Sequence, residues 1–206
     1  MSVMRKLFNK YKCDKGHKHG YEEVYEKNFE KLKNEKINIL ELGIFKGAST
    51  EAWVDYFPNA TIYGIDIFKR LDPKTVPILN HERVKWIKGD SLKLSITKQI
   101  EEEWGDVRFD IIIDDGMHTP DANRISFQHL NPFLKEDGAY FIEDVFPIDV
   151  MSQKEMSIDW IVRRGESYNM FNYMMFLNAL DGWKTKKYDL RKKSGQPDSF
   201  IFRLKK

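Results

Sequence analysis

Strand-length apolar runs recur along this chain of 206 residues, with stretches of helical character between them. The first five runs are 37–42, 60–65, 84–87, 109–113 and 139–142. The consecutive isoleucines Ile111 to Ile113 indicate a strand covered on both faces, as in a parallel sheet. Between the runs, apolar residues of 21–33 recur three or four positions apart, and Thr119-Pro120 and Asp72-Pro73 are each typical of a helix start. The alternation predicts a Rossmann-like, doubly wound α/β sheet with right-handed crossovers.

The last third of the chain departs from this alternation. Two further runs, 183–190 and 199–204, flank a turn at 194–197, which predicts a closing antiparallel hairpin. We therefore expect seven strands, mostly parallel, in one domain over 1–206. Its predicted parts are a helical lead-in (1–36), a cofactor-binding core (37–145), a lid or acceptor region rich in methionine and aromatics (146–180) and the hairpin (183–206). An ordinary core helix at 167–180 is the alternative for the third part.

Charge is distributed unevenly along the chain. The 34 basic and 32 acidic residues nearly cancel, and a net charge of +2 is too small to indicate a nucleic-acid partner. Residues 1–36 hold 10 basic and 6 acidic residues, residues 184–206 hold 9 and 2, and the middle is left with a net charge of −9. Cys13 is the single cysteine, which excludes an internal disulfide. With no apolar run of membrane-span length and no signal-peptide pattern, we expect a cytoplasmic protein.

A glycine-containing loop follows the first predicted strand. Gly43 and Gly47, in Glu41-Leu42-Gly43-Ile44-Phe45-Lys46-Gly47-Ala48-Ser49, permit close approach of a ligand where open α/β sheets bind cofactors. Asp66 ends the second strand, where a carboxylate can accept both hydroxyls of a ribose. Asp90 and Ser91 end the third strand, where they could contact an adenine. These positions suit an adenosyl ligand, although each acid could instead be a solvated strand end.

Acidic residues also end the fourth and fifth strands. Asp114 and Asp115 precede His118, and Glu143 and Asp144 follow the fifth run. In a parallel sheet these carboxylates should converge, and hard oxygen ligands favour Mg²⁺, with Mn²⁺ or Ca²⁺ possible. The alternative is that they cap helices and contact basic residues without a metal. His118 has the chemistry of a general base, although an isolated histidine is more often structural.

Together these motifs resemble class I S-adenosylmethionine-dependent methyltransferases. The resemblance implies that the Glu-x-Gly-x-x-x-Gly segment cradles the methionine part of S-adenosylmethionine, that an acid holds its ribose and that Asp-Ser lies near its adenine. The implied cofactor residues are Glu41, Gly43, Gly47, Ser49, Asp66, Asp90, Ser91 and Asp114. A dinucleotide-binding oxidoreductase is the main competing class, and the absence of GxGxxG argues against it.

A narrower resemblance covers residues 13–145. The segments 113–118 and 140–145, with the opening motif 14–21, resemble the metal-dependent O-methyltransferases of macrolide and other deoxysugars, which have cephalosporin-hydroxylase-like relatives. It implies Asp115, Glu143 and Asp144 as metal ligands and His118 as the base, with Asp115 beside it at the catalytic centre. The implied acceptor is the hydroxyl of a sugar or glycosylated small molecule, and a homo-oligomer is possible.

Two other functions stay open at this point. A catechol-type or other small-molecule O-methyltransferase would use the same fold and a similar acidic site. A non-catalytic protein that partners polysaccharide biosynthesis would keep the fold without the chemistry. Nucleic-acid methylation is not favoured, because the chain has no Asn/Asp-Pro-Pro-aromatic motif.

Overall fold

A seven-stranded sheet forms the centre of the computed structural model, which describes residues 2–145, 177–178 and 180–206. Its strands are β1 (Asn38–Leu42), β2 (Thr61–Asp66), β3 (Val84–Lys88), β4 (Phe109–Asp114), β5 (Leu134–Ile142), β6 (Lys184–Asp189) and β7 (Phe200–Lys205). Their order in the sheet is β3-β2-β1-β4-β5-β7-β6. Strands β1 to β5 pair in parallel, and β7 is antiparallel to both β5 and β6. The predicted fold, with its closing hairpin, is confirmed.

Helices flank the sheet on both faces. The longer ones are α1 (Val3–Lys10), α3 (Glu22–Phe29), α4 (Ala48–Tyr56), α5 (Ser95–Trp104) and α6 (Pro120–Leu130), and a one-turn α2 spans Asp14–His17. As predicted, α6 begins at Thr119-Pro120, where the Thr119 hydroxyl accepts a hydrogen bond from the Ala122 amide. The predicted helix at 21–33 is α3 followed by a single 3-10 turn, Glu30–Leu32.

Local patterns misjudged three short segments. Strand β5 begins five residues earlier than its apolar run. The apolar pattern missed this first half because it is largely polar and exposed. Asp72-Pro73 starts only a 3-10 turn, Pro73–Thr75, rather than a longer helix. The predicted turn at 194–197 is preceded by a one-turn helix, Arg191–Ser194, that ends at Gly195 in the left-handed conformation.

The two faces of the sheet bury separate clusters of apolar side chains. On one face the lead-in helices α1 and α3 pack with α4, and Phe29 contacts the rings of Tyr25, Trp53, Phe57 and Phe141 at centroid distances of 5.0 to 6.0 Å. On the other face α5 and α6 cover the sheet. Because β1 to β5 are parallel, all five end at the same edge, which we call the carboxyl edge.

Backbone strain concentrates at the carboxyl edge. Phe45, Phe68, His118 and Asp144 follow β1, β2, β4 and β5, and all four have positive φ, between 44° and 57°. Such conformations cost of order 1 kcal/mol or more in non-glycine residues and are typical of functional sites.

Part of the chain lies outside the residues that the structure describes. The predicted lid or acceptor region lies almost entirely outside them. Within the described part of the chain, no helix is both long enough and apolar enough to cross a membrane.

Candidate active site

A cavity of about 640 Å³ opens at the carboxyl edge, against the ends of β1, β2 and β3. It is lined by half of the predicted cofactor residues, namely Gly43, Asp66, Asp90 and Ser91. Apolar side chains, among them Phe45, Ile67, Leu92 and Met117, complete much of the wall. The predicted position of the cofactor site thus coincides with a real cavity of the size that small ligands occupy.

Asp66 ties together the loops that follow β1 and β2. Its two carboxylate oxygens accept hydrogen bonds from the backbone amides of Phe45, at 2.8 Å, and Phe68, at 2.6 Å. A carboxylate has about four acceptor positions, so two remain for hydroxyl donors of a ribose. The strained backbone at Phe45 and Phe68 therefore serves to hold this carboxylate at the cavity wall.

The next predicted pair is held by side-chain contacts of its own. Asp90 accepts a hydrogen bond from the Leu92 amide at 3.0 Å, which fixes the turn after β3. The hydroxyls of Ser91 and Ser126 lie 2.9 Å apart, which links this turn to α6. Both residues are thus ordered at the cavity wall, where the adenine contact was predicted.

The other residues of the predicted cofactor loop lie away from the cavity. Glu41 is completely buried and accepts hydrogen bonds from Thr50, at 2.9 Å, and Trp53, at 3.0 Å. Burial raises the pKa of Glu41 above its ordinary value. Gly47 begins α4 in the left-handed conformation, and Ser49 is buried in its first turn. Their contact with a cofactor stays a prediction, and in this structure Glu41 holds α4 against the sheet.

Gly43 brings the loops after β1 and β4 into direct contact. Its φ is +84°, and a Cβ at this position would overlap the backbone oxygen of Asp115. The last residue of β4, Asp114, is buried and accepts a hydrogen bond from the Asn123 amide group at 3.0 Å. Burial raises the pKa of Asp114 to about 6. It does not line the cavity, so it supports the edge from within the protein.

Asp115, His118 and Asp144 come together beside the cavity. One ligand atom from each lies within 4.8 Å of the other two, which suits a shared metal ion. Nε2 of His118 lies 3.6 Å from Oδ1 of Asp115. The two carboxylates supply oxygen ligands of the kind that Mg²⁺ or Mn²⁺ accepts, and the imidazole of His118 lies beside them. We call this set the metal group.

Glu143 faces a different partner. Its Oε2 atom lies 2.5 Å from Nζ of Lys15, and its other oxygen accepts a hydrogen bond from the Tyr25 hydroxyl. The same ammonium lies 2.5 Å from Oδ2 of Asp115. Glu143 is therefore not brought into the metal group, and its predicted role as a ligand, which stays a prediction, would require Lys15 to move.

Lys15 has no predicted role, although it lies in the opening motif 14–21. Its side chain is 2% exposed, and burial of an ammonium is unfavourable unless it is paired. Burial acts to lower the pKa of Lys15, but the carboxylates of Asp115 and Glu143 outweigh it and raise that pKa well above its ordinary value. Lys15 is thus an internal cation that neutralises part of the acidic edge. The sequence signal, a lysine in a motif that resembles the lead-in of known enzymes, does not reveal its partners.

Comparison with known families decides the class of the protein. The family of FtsJ-like methyltransferases matches residues 20–189. The chain belongs to that family. In keeping with the methyltransferase fold, the cavity lies at the ends of β1 to β3 and the acidic residues at the ends of β4 and β5.

Among the relatives of this FtsJ-like methyltransferase are two sugar-modifying enzymes. The mycinamicin VI 2''-O-methyltransferase of Micromonospora griseorubida is 33% identical over 138 residues, which cover 64% of this chain and 33% of the relative. The 8-demethyl-8-(2-methoxy-alpha-L-rhamnosyl)-tetracenomycin-C 3'-O-methyltransferase of Streptomyces olivaceus is 31% identical over 135 residues, 62% of this chain and 33% of the relative. The matched part of the chain thus spans about a third of the length of these relatives.

A solved structure shows the same fold. The MycE methyltransferase from the mycinamycin biosynthetic pathway, in complex with Mg and SAH, superposes with a TM-score of 0.71 at 22% identity. The match covers 99% of this chain and 54% of MycE.

Proposed function

We propose that this protein transfers a methyl group from S-adenosylmethionine to a hydroxyl of a sugar or glycosylated small molecule, assisted by a divalent cation. The observation that carries the proposal is the adjacency of the two parts of the site. Gly116 and Met117 line the cavity that Asp66 and Ser91 also line, and they lie between Asp115 and His118 in the chain. A methyl donor in the cavity would therefore lie next to a histidine that could remove a proton.

The relatives support the choice of acceptor and cofactors. The two matched enzymes are named for methylation of sugar hydroxyls, and MycE is described with Mg and with SAH. Family membership supports S-adenosylmethionine as the donor. Mg²⁺ is our first choice of cation, with Mn²⁺ or Ca²⁺ as alternatives that the same oxygen ligands would accept.

The residues present suit proton removal followed by methyl transfer. A sugar hydroxyl is a poor nucleophile until it loses its proton, and we assign that proton to the imidazole of His118. Asp115, 3.6 Å from Nε2, would stabilise the imidazolium that forms. The oxygen would then attack the sulfonium methyl in line, which breaks the methyl carbon–sulfur bond and leaves S-adenosylhomocysteine. Asp115 and Asp144 would hold the cation, which when bound lowers the pKa of a coordinated hydroxyl and fixes its oxygen.

Two variants separate donor binding from catalysis. We expect His118→Ala to lower the rate of methyl transfer by roughly 10²- to 10⁴-fold while S-adenosylhomocysteine still binds. Asp66→Ala should instead weaken S-adenosylhomocysteine binding, measured by calorimetry. The matched control is His17→Ala, because His17 is an exposed histidine of the lead-in and should leave both quantities unchanged.

The acceptor and the cation require a second measurement. Methyl transfer from labelled S-adenosylmethionine should appear on rhamnosyl or other deoxysugar glycosides and not on catechols, and EDTA should abolish it until Mg²⁺ is restored. Transfer that continues undiminished in EDTA would exclude the cation from the mechanism. Preference for catechols would replace the sugar acceptor, and failure to bind S-adenosylhomocysteine would overturn the proposal as a whole.

A further inference from the structure

A second group of metal-ligating side chains lies next to the metal group. It consists of His19 from the loop between α2 and α3, Asp144 after β5 and Asp198 from the turn before β7. One ligand atom from each lies within 4.8 Å of the other two. Asp144 is common to both groups, while His19 and Asp198 have no part in the proposed methyl transfer.

His19 presents a buried nitrogen without a hydrogen-bond partner. The imidazole is 1% exposed, and its Nδ1 lies 2.9 Å from the hydroxyl of Ser199. Nε2 makes no hydrogen bond to any residue that the structure describes and lies 3.6 Å from Oδ2 of Asp144, beyond hydrogen-bond range. Buried polar atoms are nearly always paired, so an unpaired nitrogen that faces a carboxylate leaves room for a partner that the described residues do not supply, and a bound ion is one such partner.

Asp198, on the other side of the group, also has a buried atom without a hydrogen-bond partner among the described residues. Its Oδ1 atom is buried, has no hydrogen-bond partner among the described residues and lies 3.7 Å from Nδ1 of His19. The exposed ammonium of Lys18 approaches only the other oxygen, at 3.9 Å. Asp198 thus adds a second unpaired ligand atom on the Nδ1 side of the imidazole, while the unpaired Nε2 faces Asp144.

The spacing and the surroundings suit a metal ion. Two ligands that are each about 2.1 Å from a zinc ion lie roughly 3.4 Å apart at a tetrahedral angle, close to the separation of His19 from Asp144. Tyr21 donates a hydrogen bond to Oδ1 of Asp144 at 2.7 Å and stacks on the His19 ring at 5.0 Å. Together with the contact between Ser199 and Nδ1, these contacts fix the orientation of the His19 and Asp144 side chains, as hydrogen bonds to metal ligands commonly do.

We propose that His19, Asp144 and Asp198 bind a second divalent cation, one of the transition-metal class such as Zn²⁺. An imidazole nitrogen with two carboxylates favours Zn²⁺ over Mg²⁺, which prefers oxygen ligands alone. The ion would join the lead-in, the end of β5 and the closing hairpin at one point. The site does not depend on the proposed methyl transfer, although it shares Asp144 with the metal group.

The test uses the full chain, stripped of metal and then saturated with Mg²⁺ to fill oxygen-ligand sites. Titration with Co²⁺, a spectroscopic substitute for Zn²⁺, should show one equivalent bound with visible absorption bands, and Zn²⁺ should displace it. We expect His19→Gln and Asp198→Asn each to weaken Co²⁺ binding at least tenfold. His17→Gln, two residues from His19 but exposed, is the matched control and should bind Co²⁺ as the unchanged protein does.

Two further measurements keep the result unambiguous. Circular dichroism of each variant shows whether it folds. If His19→Gln does not fold, Asp198→Asn still tests the site, because Asp198 lies in a turn and asparagine keeps the shape of its side chain. His118→Ala distinguishes the two groups, because it alters the metal group but not this one. Co²⁺ binding that is lost in His118→Ala and kept in His19→Gln would overturn the proposal, as would the absence of Co²⁺ binding. Methyl transfer by the unchanged protein is measured separately, so neither outcome decides whether the proposed function holds.

Discussion

Lys15 shows how one side chain determines whether the acidic edge is stable. Asp115 and Glu143 both lie 2.5 Å from its ammonium, and Glu143 and Lys15 are almost completely buried. Taking charges out of water is expensive, and their mutual attraction compensates only while both signs are present. The stability of this edge therefore depends on a residue in the N-terminal lead-in.

Removal of the internal cation should be costly. Without its ammonium, Lys15→Met leaves Asp115 and Glu143 unpaired, and we expect the free energy of unfolding at pH 7.5 to fall by about 3 to 5 kcal/mol in urea titrations. Lys10→Met is the control, because Lys10 forms an exposed ion pair with Asp55, and exposed ion pairs contribute little to stability. Equal losses in the two variants would show that Lys15 behaves as a surface charge.

Asp114 should make stability depend on pH. Its pKa is raised by burial to about 6, so between about pH 4 and pH 6 the folded state holds a proton that the unfolded state has released. The stability that protonated Asp114 contributes to the folded state is complete below about pH 4 and is lost as pH rises through 6. Between pH 4 and pH 6 the free energy of unfolding of the unchanged protein, measured in urea titrations, should fall by up to about 3 kcal/mol relative to that of Asp114→Asn, which stays neutral. A stability difference that does not change with pH would contradict the assignment.

The loops after β1 and β4 act as one element at the carboxyl edge, because Gly43 lets them touch. We expect Gly43→Ala to force them apart, since the added methyl group would overlap the Asp115 backbone oxygen, and to weaken S-adenosylhomocysteine binding at least tenfold. Gly195→Ala is the control, because Gly195 has a similar φ, +73°, with nothing within 4 Å of the added carbon. It should cost about 1 kcal/mol in stability and leave binding intact. If both variants bind equally well, the loop contact is not required for the site.

Elements were predictable where local patterns determine them. The run at 109–113 and the helix start at Thr119 are decided by neighbours in the chain, and the structure confirms both. The first half of β5 was missed, since its sequence is largely polar and only Leu134 in it pairs with β4, before a shift in register. Lys15 was missed for a related reason, because its partners lie 100 and 128 residues away. No local pattern encodes such a contact.

The edge strand β6 gives the basic C-terminal segment a structural role. Lys184, Lys186 and Lys187 are exposed on it, and β7 is its neighbour in the sheet. Lysines on an edge strand discourage pairing with another chain. Part of the positive charge of the C-terminal segment thus protects the edge of the sheet from pairing with another chain.

At the scale of the whole molecule, the lead-in is part of the core. Phe8, Tyr25 and Phe29 belong to the cluster that covers one face of the sheet. We expect a chain without residues 2–36 to lose its cooperative thermal transition and to bind a dye specific for exposed apolar surface. The peptide 2–36 added in trans should restore part of the transition. A truncated chain that melts cooperatively by itself would show that the lead-in is an independent attachment.

The long separation between Lys15 and its partners has a consequence for synthesis. The ribosome releases the lead-in first, but Asp115 and Glu143 follow only 100 and 128 residues later. Contacts so distant in the chain form slowly, and until they form the apolar side chains of the lead-in have no sheet to cover. A nascent chain that stalls before residue 143 therefore leaves the aromatic side chains of the lead-in exposed, and exposed apolar surface of this kind is prone to aggregate without a chaperone.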